Sequence, residues 1–330
     1  MSGISLFDYQ LDAVSRMRNG CILCGGVGSG KSRTSLAYYY KEQDGILGTK
    51  NYVRMKNPKD LYIITTARKR DTLEWEGELS YFLLSTNPKV NGYKNRVIVD
   101  SWNNIQKYKN VTDSFFIFDE QRVVGSGVWV KSFLKITKSN DWILLSATPG
   151  DTWQDYIPVF IANGFYRNRT EFCNEHIVYS RFSKFPKIDR YINTGRLIRL
   201  RDRILVDMDF KRETIAHHED LIVQYDIPKY KETMRNRWDP YNNEPITNAS
   251  GLCYILRKIV NSDESRQIAL MDILESRPKV IVFYNFDYEL DILKGLHYGK
   301  DVQIAEWNGH SHQPIPTSKS WVYLVQYTAG

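Results

Sequence analysis

The sequence predicts an α/β fold, and three observations indicate it. Short apolar runs rich in β-branched and aromatic residues recur along the chain, and longer polar stretches with helical spacing separate them. This alternation is typical of buried parallel strands joined by helices. The length of 330 residues predicts about two domains. Hydrophobic residues at 42% and charged residues at 25% lie near the globular average, which excludes disordered, collagen-like and coiled-coil chains.

The predicted elements fill a first domain over residues 1–166. Strands are predicted where the short apolar runs lie, at residues 21–24, 61–65, 97–99, 115–118 and 143–145. Helices are predicted in the polar stretches between some of these runs, at residues 33–41 and 71–84. Strands that alternate with helices in this way predict a parallel sheet.

The rest of the chain is interpreted as a connecting segment and a second α/β domain. Residues 167–224 are dense in charge, which indicates a connection with local hairpins or helices, or simply a solvated linker. In the second domain, residues 225–330, helices are predicted at 229–237 and 250–276 and strands at 280–284, 302–305 and 321–326. Because the chain stops directly after its last predicted strand, we expect this domain to be incomplete at its C-terminus.

Charge and cysteine content indicate where the chain acts. The net charge of +7 and the pI of about 9.0 favour a polyanionic partner, with nucleic acid as the leading candidate. Four scattered cysteines do not form a disulfide framework, so a reducing compartment is expected. The N-terminus lacks the pattern of a signal peptide, and the longest apolar runs are far shorter than a membrane span. We therefore expect a cytoplasmic protein without a membrane partner.

A phosphate-binding motif is the strongest chemical signal. Residues 25–32 read GGVGSGKS, which satisfies G-x-x-x-x-G-K-[ST] between a predicted strand and a predicted helix. Glycines let backbone N–H groups face phosphate oxygens, the lysine reaches the terminal phosphates, and the serine supplies a magnesium ligand. The context argues against a merely structural glycine-rich turn. The motif predicts an ATP and Mg²⁺ site of a P-loop NTPase made by Gly25, Gly28, Ser29, Gly30, Lys31 and Ser32.

Three further segments complete the predicted nucleotide site. Asp119 and Glu120 follow an apolar run, where Asp119 would hold magnesium through its water shell and Glu120 would orient and deprotonate the attacking water. Gln10 can offer a donor and an acceptor to the adenine edge. Ser146 and Thr148 follow the run at 143–145 and could link the site to a neighbouring domain. Taken alone, each segment also fits an ordinary polar turn or surface position.

Other signals are weaker. Cys21 and Cys24 have the spacing of a redox or zinc pair, but they lie in the strand that leads into the phosphate loop, and buried thiols are the better interpretation. His310 and His312 are interpreted as loop residues because two ligands do not make a metal site. No ordering of Ser, His and Asp with a nucleophile elbow supports ester or peptide hydrolysis.

The order of Gln10, Lys31, Asp119 and Ser146 resembles the helicases and translocases of superfamily two, the DEAD/DEAH-like group. The segments YQ, GSGKS, TTARK, DEQR, SAT and QYTAG occur in the order of that family across the whole chain. The stretch after SAT, which ends at Phe172, looks like the SWI/SNF-type branch and its bacteriophage relatives.

The resemblance implies two RecA-like lobes that close on ATP and step along nucleic acid. In lobe one, its backbone-gripping motifs match Thr66, Arg68, Lys69, Ser101 and Trp102. In lobe two, they match Asn285, Gln326 and Thr328. Hydroxyl groups and cations at strand ends contact phosphates without reading sequence, so little sequence preference is expected.

Two departures from the family matter. Arg122 stands where relatives carry Asp or His, so the link between the acid pair and the SAT segment is expected to be altered. The arginine-bearing helix that follows QYTAG in the family is not in this chain. Such an arginine contributes about 10³–10⁵ to turnover in other phosphate-transfer systems, so weak hydrolysis is expected.

The leading hypothesis is an ATP hydrolase, a DNA helicase or double-strand DNA translocase encoded by a bacteriophage. It would act as a monomer in the host cytoplasm, in replication, repair or recombination, with replication or single-strand-binding proteins as candidate partners. The alternative is an ATP-gated DNA-binding module without motor activity. A packaging ATPase with a nuclease half is disfavoured, because the second half of the sequence shows no cluster of metal-binding carboxylates.

Overall fold

The chain forms two compact units, Met1–Thr214 and Ile215–Gly330. The computed structural model describes residues 4–48, 51–120, 123–181, 185–210 and 217–327. The first unit continues beyond the predicted boundary at residue 166 and takes in most of the predicted connecting segment. The physical reason is that a strand within that segment, Leu205–Asp207, pairs with the strand that precedes the phosphate loop.

A parallel sheet forms the centre of the first unit. The described strands of this unit are β1 (Ile22–Cys24), β2 (Leu61–Thr65), β3 (Val97–Ser101), β4 (Phe115–Asp119), β5 (Asp141–Ser146), β6 (Ile177–Tyr179), β7 (Ile188–Tyr191) and β8 (Leu205–Asp207). Six of them form the sheet in the order β3-β2-β4-β5-β1-β8, and every described pairing in it is parallel. The antiparallel hairpin of β6 and β7 lies apart from this sheet.

Helices cover both faces of the sheet. They are α1 (Asp8–Arg16), α2 (Lys31–Glu42), α3 (Ala67–Asp71), α4 (Glu74–Tyr81), α5 (Val128–Ile136), α6 (Ile157–Ala162), α7 (Arg169–His176) and α8 (Thr194–Ile204), with 3₁₀ helices at Trp102–Tyr108 and Trp153–Tyr156. Neighbouring strand residues face different apolar cores: Phe115 and Ile117 belong to one core, and Phe116 and Phe118 to the other. Burial on both faces explains why the strands read as continuous apolar runs.

The helix predicted at residues 71–84 is shorter, because α4 spans Glu74–Tyr81 and the preceding helix, α3, ends at Asp71. Leu73 has a φ of +57°, in the left-handed region, so α3 ends before it and α4 begins after it. A leucine in that region has no signature in the amino-acid pattern, because left-handed backbone is typical of glycine and asparagine.

The second unit is a smaller α/β arrangement. Its described strands are β9 (Trp238–Asp239), β10 (Glu244–Pro245), β11 (Lys279–Tyr284), β12 (Gln303–Trp307) and β13 (Trp321–Gln326), and its described helices are α9 (Ile227–Asn236), α10 (Ala249–Asn261), α11 (Glu264–Ser276) and α12 (Asp287–Gly295). The last three strands form a parallel sheet in the order β11-β13-β12, and β9 pairs antiparallel with β10. The predicted helix at 250–276 is two helices, because the Asp263 side chain accepts a hydrogen bond from the Ser265 backbone and caps α11.

The central strand of the second sheet is buried, and an edge strand is partly open. Val322, Tyr323 and Leu324 of β13 are buried, whereas Ile281 and Phe283 of β11 are 46% and 62% exposed. Within the described residues no helix is long and apolar enough to cross a membrane. The predicted α/β class with parallel sheets is confirmed in both units.

Candidate nucleotide site

The phosphate loop has the backbone that its sequence requires. The chain leaves β1 at Cys24, turns through glycines, and enters α2 at Lys31. Gly28 and Gly30 have φ values of +85° and +76°, a region that L-residues rarely adopt. A Cβ atom on Gly26 or Gly28 would meet no atom within 4 Å, so the outer side of the loop is open. The N-terminus of α2 adds positive potential to this open side.

Lys31 lies over the loop. Its Nζ donates to the carbonyl oxygen of Gly25 at 2.6 Å and to that of Gly26 at 3.0 Å. Burial lowers the pKa of Lys31, and the attraction of Asp119 opposes this effect. Phosphate oxygens are stronger acceptors than these carbonyls, so the ammonium can exchange them for a nucleotide.

The acid pair lies at the end of β4, and side chains of β2, α3 and α4 donate hydrogen bonds to it. Asp119 is buried, and its Oδ2 accepts hydrogen bonds from Thr65 Oγ1 at 2.7 Å, Lys69 Nζ at 3.1 Å and Trp75 Nε1 at 3.2 Å. The Lys69 ammonium also lies 3.1 Å from Oε1 of Glu120. Burial acts to lower the pKa of Lys69, but the two carboxylates outweigh it and the pKa is raised. One ammonium therefore compensates both carboxylates.

Strand β5 lies between the loop strand and the acid strand. Ser146, its last residue, lies opposite Cys24, and its carbonyl oxygen accepts from the Gly25 backbone N–H at 3.2 Å. The Ser146 hydroxyl accepts from the Thr148 backbone N–H at 3.1 Å, while Thr148 itself is exposed. The SAT segment is thus hydrogen-bonded directly to the start of the phosphate loop.

Helix α1 packs against the other side of the loop. Gln10 is buried, and its Oε1 accepts from the Phe7 backbone N–H at 3.0 Å, which caps the helix. Its amide nitrogen lies so close to Gly30 that a Cβ atom there would overlap it. The Tyr9 hydroxyl donates to the carbonyl oxygen of Ser29 at 3.3 Å. Gln10 therefore packs against Gly30 of the loop, and its contact with adenine stays a prediction.

Three of the nucleic-acid residues expected in the first unit have hydrogen-bond partners within the protein, and their contacts with nucleic acid stay predictions. Ser101 and Trp102 are each 2% exposed, and Trp102 Nε1 donates to the carbonyl oxygen of Asp119 at 2.9 Å. Lys69 faces the acid pair, as described above. Thr66 accepts from the Lys69 backbone N–H and caps α3, and Arg68 is exposed.

Two of the expected residues of the second unit lie together. Asn285 follows β11 and Gln326 ends the adjacent β13, and Gln326 Nε2 donates to the Asn285 carbonyl oxygen at 3.4 Å. Gln326 Oε1 also accepts from the Gly309 backbone N–H at 3.3 Å. Arg122 and Thr328 lie outside the described residues.

Thr65 and Trp75 are the residues of this site that the sequence interpretation missed. Thr65 ends β2, which pairs with β4, so its hydroxyl reaches Asp119 across the sheet edge. A hydroxyl at the end of a strand next to the acid strand is the signal that could have identified it. Trp75 had no signal, because its position depends on the break between α3 and α4.

The residues fit ATP and magnesium. Mg²⁺ at phosphate sites is bound by one or two carboxylates together with phosphate oxygens and water, so a pair such as Asp119 with the hydroxyl of Ser32 suffices. The acid pair already binds a cation, because the ammonium of Lys69 lies within ion-pair distance of both carboxylates. In the described ranges, no group of three or more His, Cys, Asp or Glu side chains offers a second metal site.

The comparisons with known proteins give structural similarity only. No family model and no curated protein matches the chain. It is similar to the SWI2/SNF2 ATPase core of Sulfolobus solfataricus in complex with dsDNA, at 15% identity and a TM-score of 0.49, over 98% of this chain and 79% of that one. It is also similar to the Hef helicase domain of Pyrococcus furiosus, at 13% identity and a TM-score of 0.44, over 96% of this chain and 84% of that one.

Proposed function

We propose that this chain is an ATP-dependent DNA motor, a helicase or double-strand DNA translocase that couples ATP hydrolysis to movement on DNA. One observation carries the proposal: a phosphate loop with Lys31 and the acid pair Asp119 and Glu120 lie at the carboxyl-terminal edge of one parallel sheet, with β5 between their two strands. Ligands of open α/β sheets bind at this edge.

The roles follow from the chemistry of each side chain. Lys31 and the backbone N–H groups of the loop hold the phosphates, and Ser32 with Asp119 would hold Mg²⁺, which supplies charge neutralisation when it is bound. Glu120 orients the attacking water and accepts its proton. Ser146 is bonded to the loop, and the exposed Thr148 after it can transmit a change at the phosphates to a neighbouring element.

DNA is the proposed track because the chain is basic and its exposed polar side chains suit a phosphate backbone. The net charge is +7, Arg68 is exposed in the first unit, and Asn285 and Gln326 lie together in the second. Backbone contacts make the affinity depend strongly on salt. A bacteriophage origin, the monomeric state, the cytoplasmic location and a role in replication, repair or recombination remain predictions from the sequence.

An ATP-gated DNA-binding module without motor activity is the second candidate. The ion pairs of Lys69 favour it, because they engage the carboxylate that would act as the base. A module of this kind would bind ATP and change its DNA affinity, but it would not move along the duplex.

ATP turnover with double-stranded DNA, single-stranded DNA and RNA tests the proposal. We expect turnover without polymer to be slow and one DNA form to accelerate it. Lys31→Ala should abolish both rates, because the phosphates lose their cation. Lys135→Met is the matched control, since Lys135 is exposed and bonds only to Asn110 in the described structure. Bound ATP with turnover that no polymer changes would contradict the motor and favour the module.

A further inference from the structure

Lys69 is the counter-ion of both acids at the candidate site. Its Nζ lies 3.1 Å from Asp119 Oδ2 and 3.1 Å from Glu120 Oε1. The Lys69 side chain is 28% exposed, whereas that of Asp119 is 3% exposed. The ammonium thus lies at the boundary between the buried acid and solvent.

This arrangement engages the residue that hydrolysis needs. A base must present its carboxylate to the attacking water, and an ion pair with an ammonium both occupies an oxygen and makes it a weaker proton acceptor. The described arrangement therefore restrains Glu120. Removal of the ammonium would leave two neighbouring carboxylates with a greater need for another cation.

The position of Lys69 in the chain connects the acid pair to a basic segment. Residues 68–70 are three consecutive cations in α3. Arg70 pairs with Asp71 and Asp100, and Arg68 is exposed. Lys69 is the cation of this segment whose described partners belong to the nucleotide site. Its flexible four-carbon stem lets the ammonium reach a second anion without movement of the backbone.

We propose that Lys69 is a positioning residue that restrains Glu120 in the absence of nucleic acid, and that a backbone phosphate releases the restraint by taking over the ammonium. The inference rests on the proposed function, because it assigns the regulation of the same site. It predicts that DNA stimulates hydrolysis by breaking the ion pair between Lys69 and Glu120.

The first test measures ATP turnover with and without DNA in Lys69→Met, Lys69→Arg and the control Lys135→Met. Lys69→Met should raise turnover without DNA by about fivefold or more, the lower range of coupling between sites, and should reduce the further stimulation by DNA. Lys69→Arg keeps the charge and should retain the low rate. Equal losses with and without DNA in Lys69→Met would overturn the proposal.

The second test needs no turnover. Thermal unfolding of the full chain is followed as Mg²⁺ alone is added without nucleotide. Lys69→Met should show a larger rise in Tm than the unmodified chain and Lys135→Met, because Mg²⁺ no longer competes with an ammonium. Equal rises in Tm for all three chains would show that the ion pair of Lys69 does not restrain the acid pair. A chain that no DNA stimulates contradicts the proposed function, and the Mg²⁺ titration then decides on Lys69 separately.

Discussion

Thr65 donates a hydrogen bond from Oγ1 to Oδ2 of Asp119 at 2.7 Å, and both residues are buried. The bond joins β2 to β4 at the carboxyl-terminal edge of the sheet, the edge at which the phosphate loop follows β1. It orients the carboxylate that the proposed site would use for Mg²⁺. A residue on β2, which β4 and β5 separate from the loop strand β1, thus helps to build the nucleotide site.

Thr65→Val should weaken Mg²⁺ binding at this site while the chain still folds. The change keeps the shape of the side chain but removes one donor to a buried acceptor, so we expect a loss of about 1–3 kcal/mol of unfolding free energy. The Mg²⁺ concentration needed for half-maximal turnover should rise. Thr65→Ser keeps the hydroxyl and is the control. An unchanged Mg²⁺ requirement in Thr65→Val would show that the bond does not position Asp119.

The glycines of the loop give a matched pair of variants. Gly26 and Gly28 both have open space at the Cβ position, but only Gly28 has a positive φ, +85°. Gly28→Ala should therefore lower the free energy of unfolding by about 1–2 kcal/mol, which is the cost of left-handed backbone in an L-residue. Gly26→Ala should leave it nearly unchanged. Chemical denaturation without nucleotide makes the comparison, and equal effects would mean that the loop adopts another backbone.

A variant of Trp102 distinguishes a packing role from a contact with nucleic acid. Its indole stacks on Phe118 with ring centroids 5.5 Å apart, and its N–H donates to the Asp119 carbonyl oxygen. Trp102→Phe should cost about 1 kcal/mol of stability through the lost hydrogen bond and should leave DNA affinity unchanged. Fluorescence anisotropy with labelled duplex DNA measures the affinity. A weaker affinity at unchanged Tm would contradict the packing role and place Trp102 in contact with DNA.

The buried thiol next to the loop strand predicts a loss of stability at alkaline pH. Burial raises the pKa of Cys21 from 9.0 to about 11. The folded state therefore retains a proton that the unfolded state releases above pH 9.0, so this contribution to stability decreases as the pH rises from 9.0 towards 11. Cys21→Ala should show a smaller decrease in denaturation midpoint over this range. At pH 8, iodoacetamide should modify the exposed Cys253 long before Cys21, and equal rates would contradict the burial.

The sequence predicted β1 to β5 of the first sheet because their burial leaves a direct trace, but it missed β8, which lies in the predicted connecting segment. Runs such as FFIF and LYIIT face two cores at once, so they contain almost no polar residues. The phosphate loop was equally predictable. Its conformation depends on glycines and a lysine within eight consecutive residues, so no long-range contact is needed to recognise it.

The direction of side chains beyond the strand ends was not predictable. Lys69 and Trp102 follow strands that end at the expected edge, yet both turn towards Asp119. That direction depends on the Thr66 cap, on the break at Leu73 and on the pairing of β2 with β4, which are long-range or conformational features. The same residues around Lys69 and Trp102 are equally compatible with an exposed surface that binds phosphates.

Displacement of a third strand from a DNA triplex tests the motor most directly, because it reports movement along a duplex and does not require unwinding. The chain should displace the strand in the presence of ATP and Mg²⁺. Glu120→Gln should bind ATP but fail to displace it, since the variant lacks the base. Two results would contradict the proposal that this site drives a DNA motor. One is no displacement by the unmodified chain despite DNA-stimulated ATP turnover, and the other is equal displacement by Glu120→Gln.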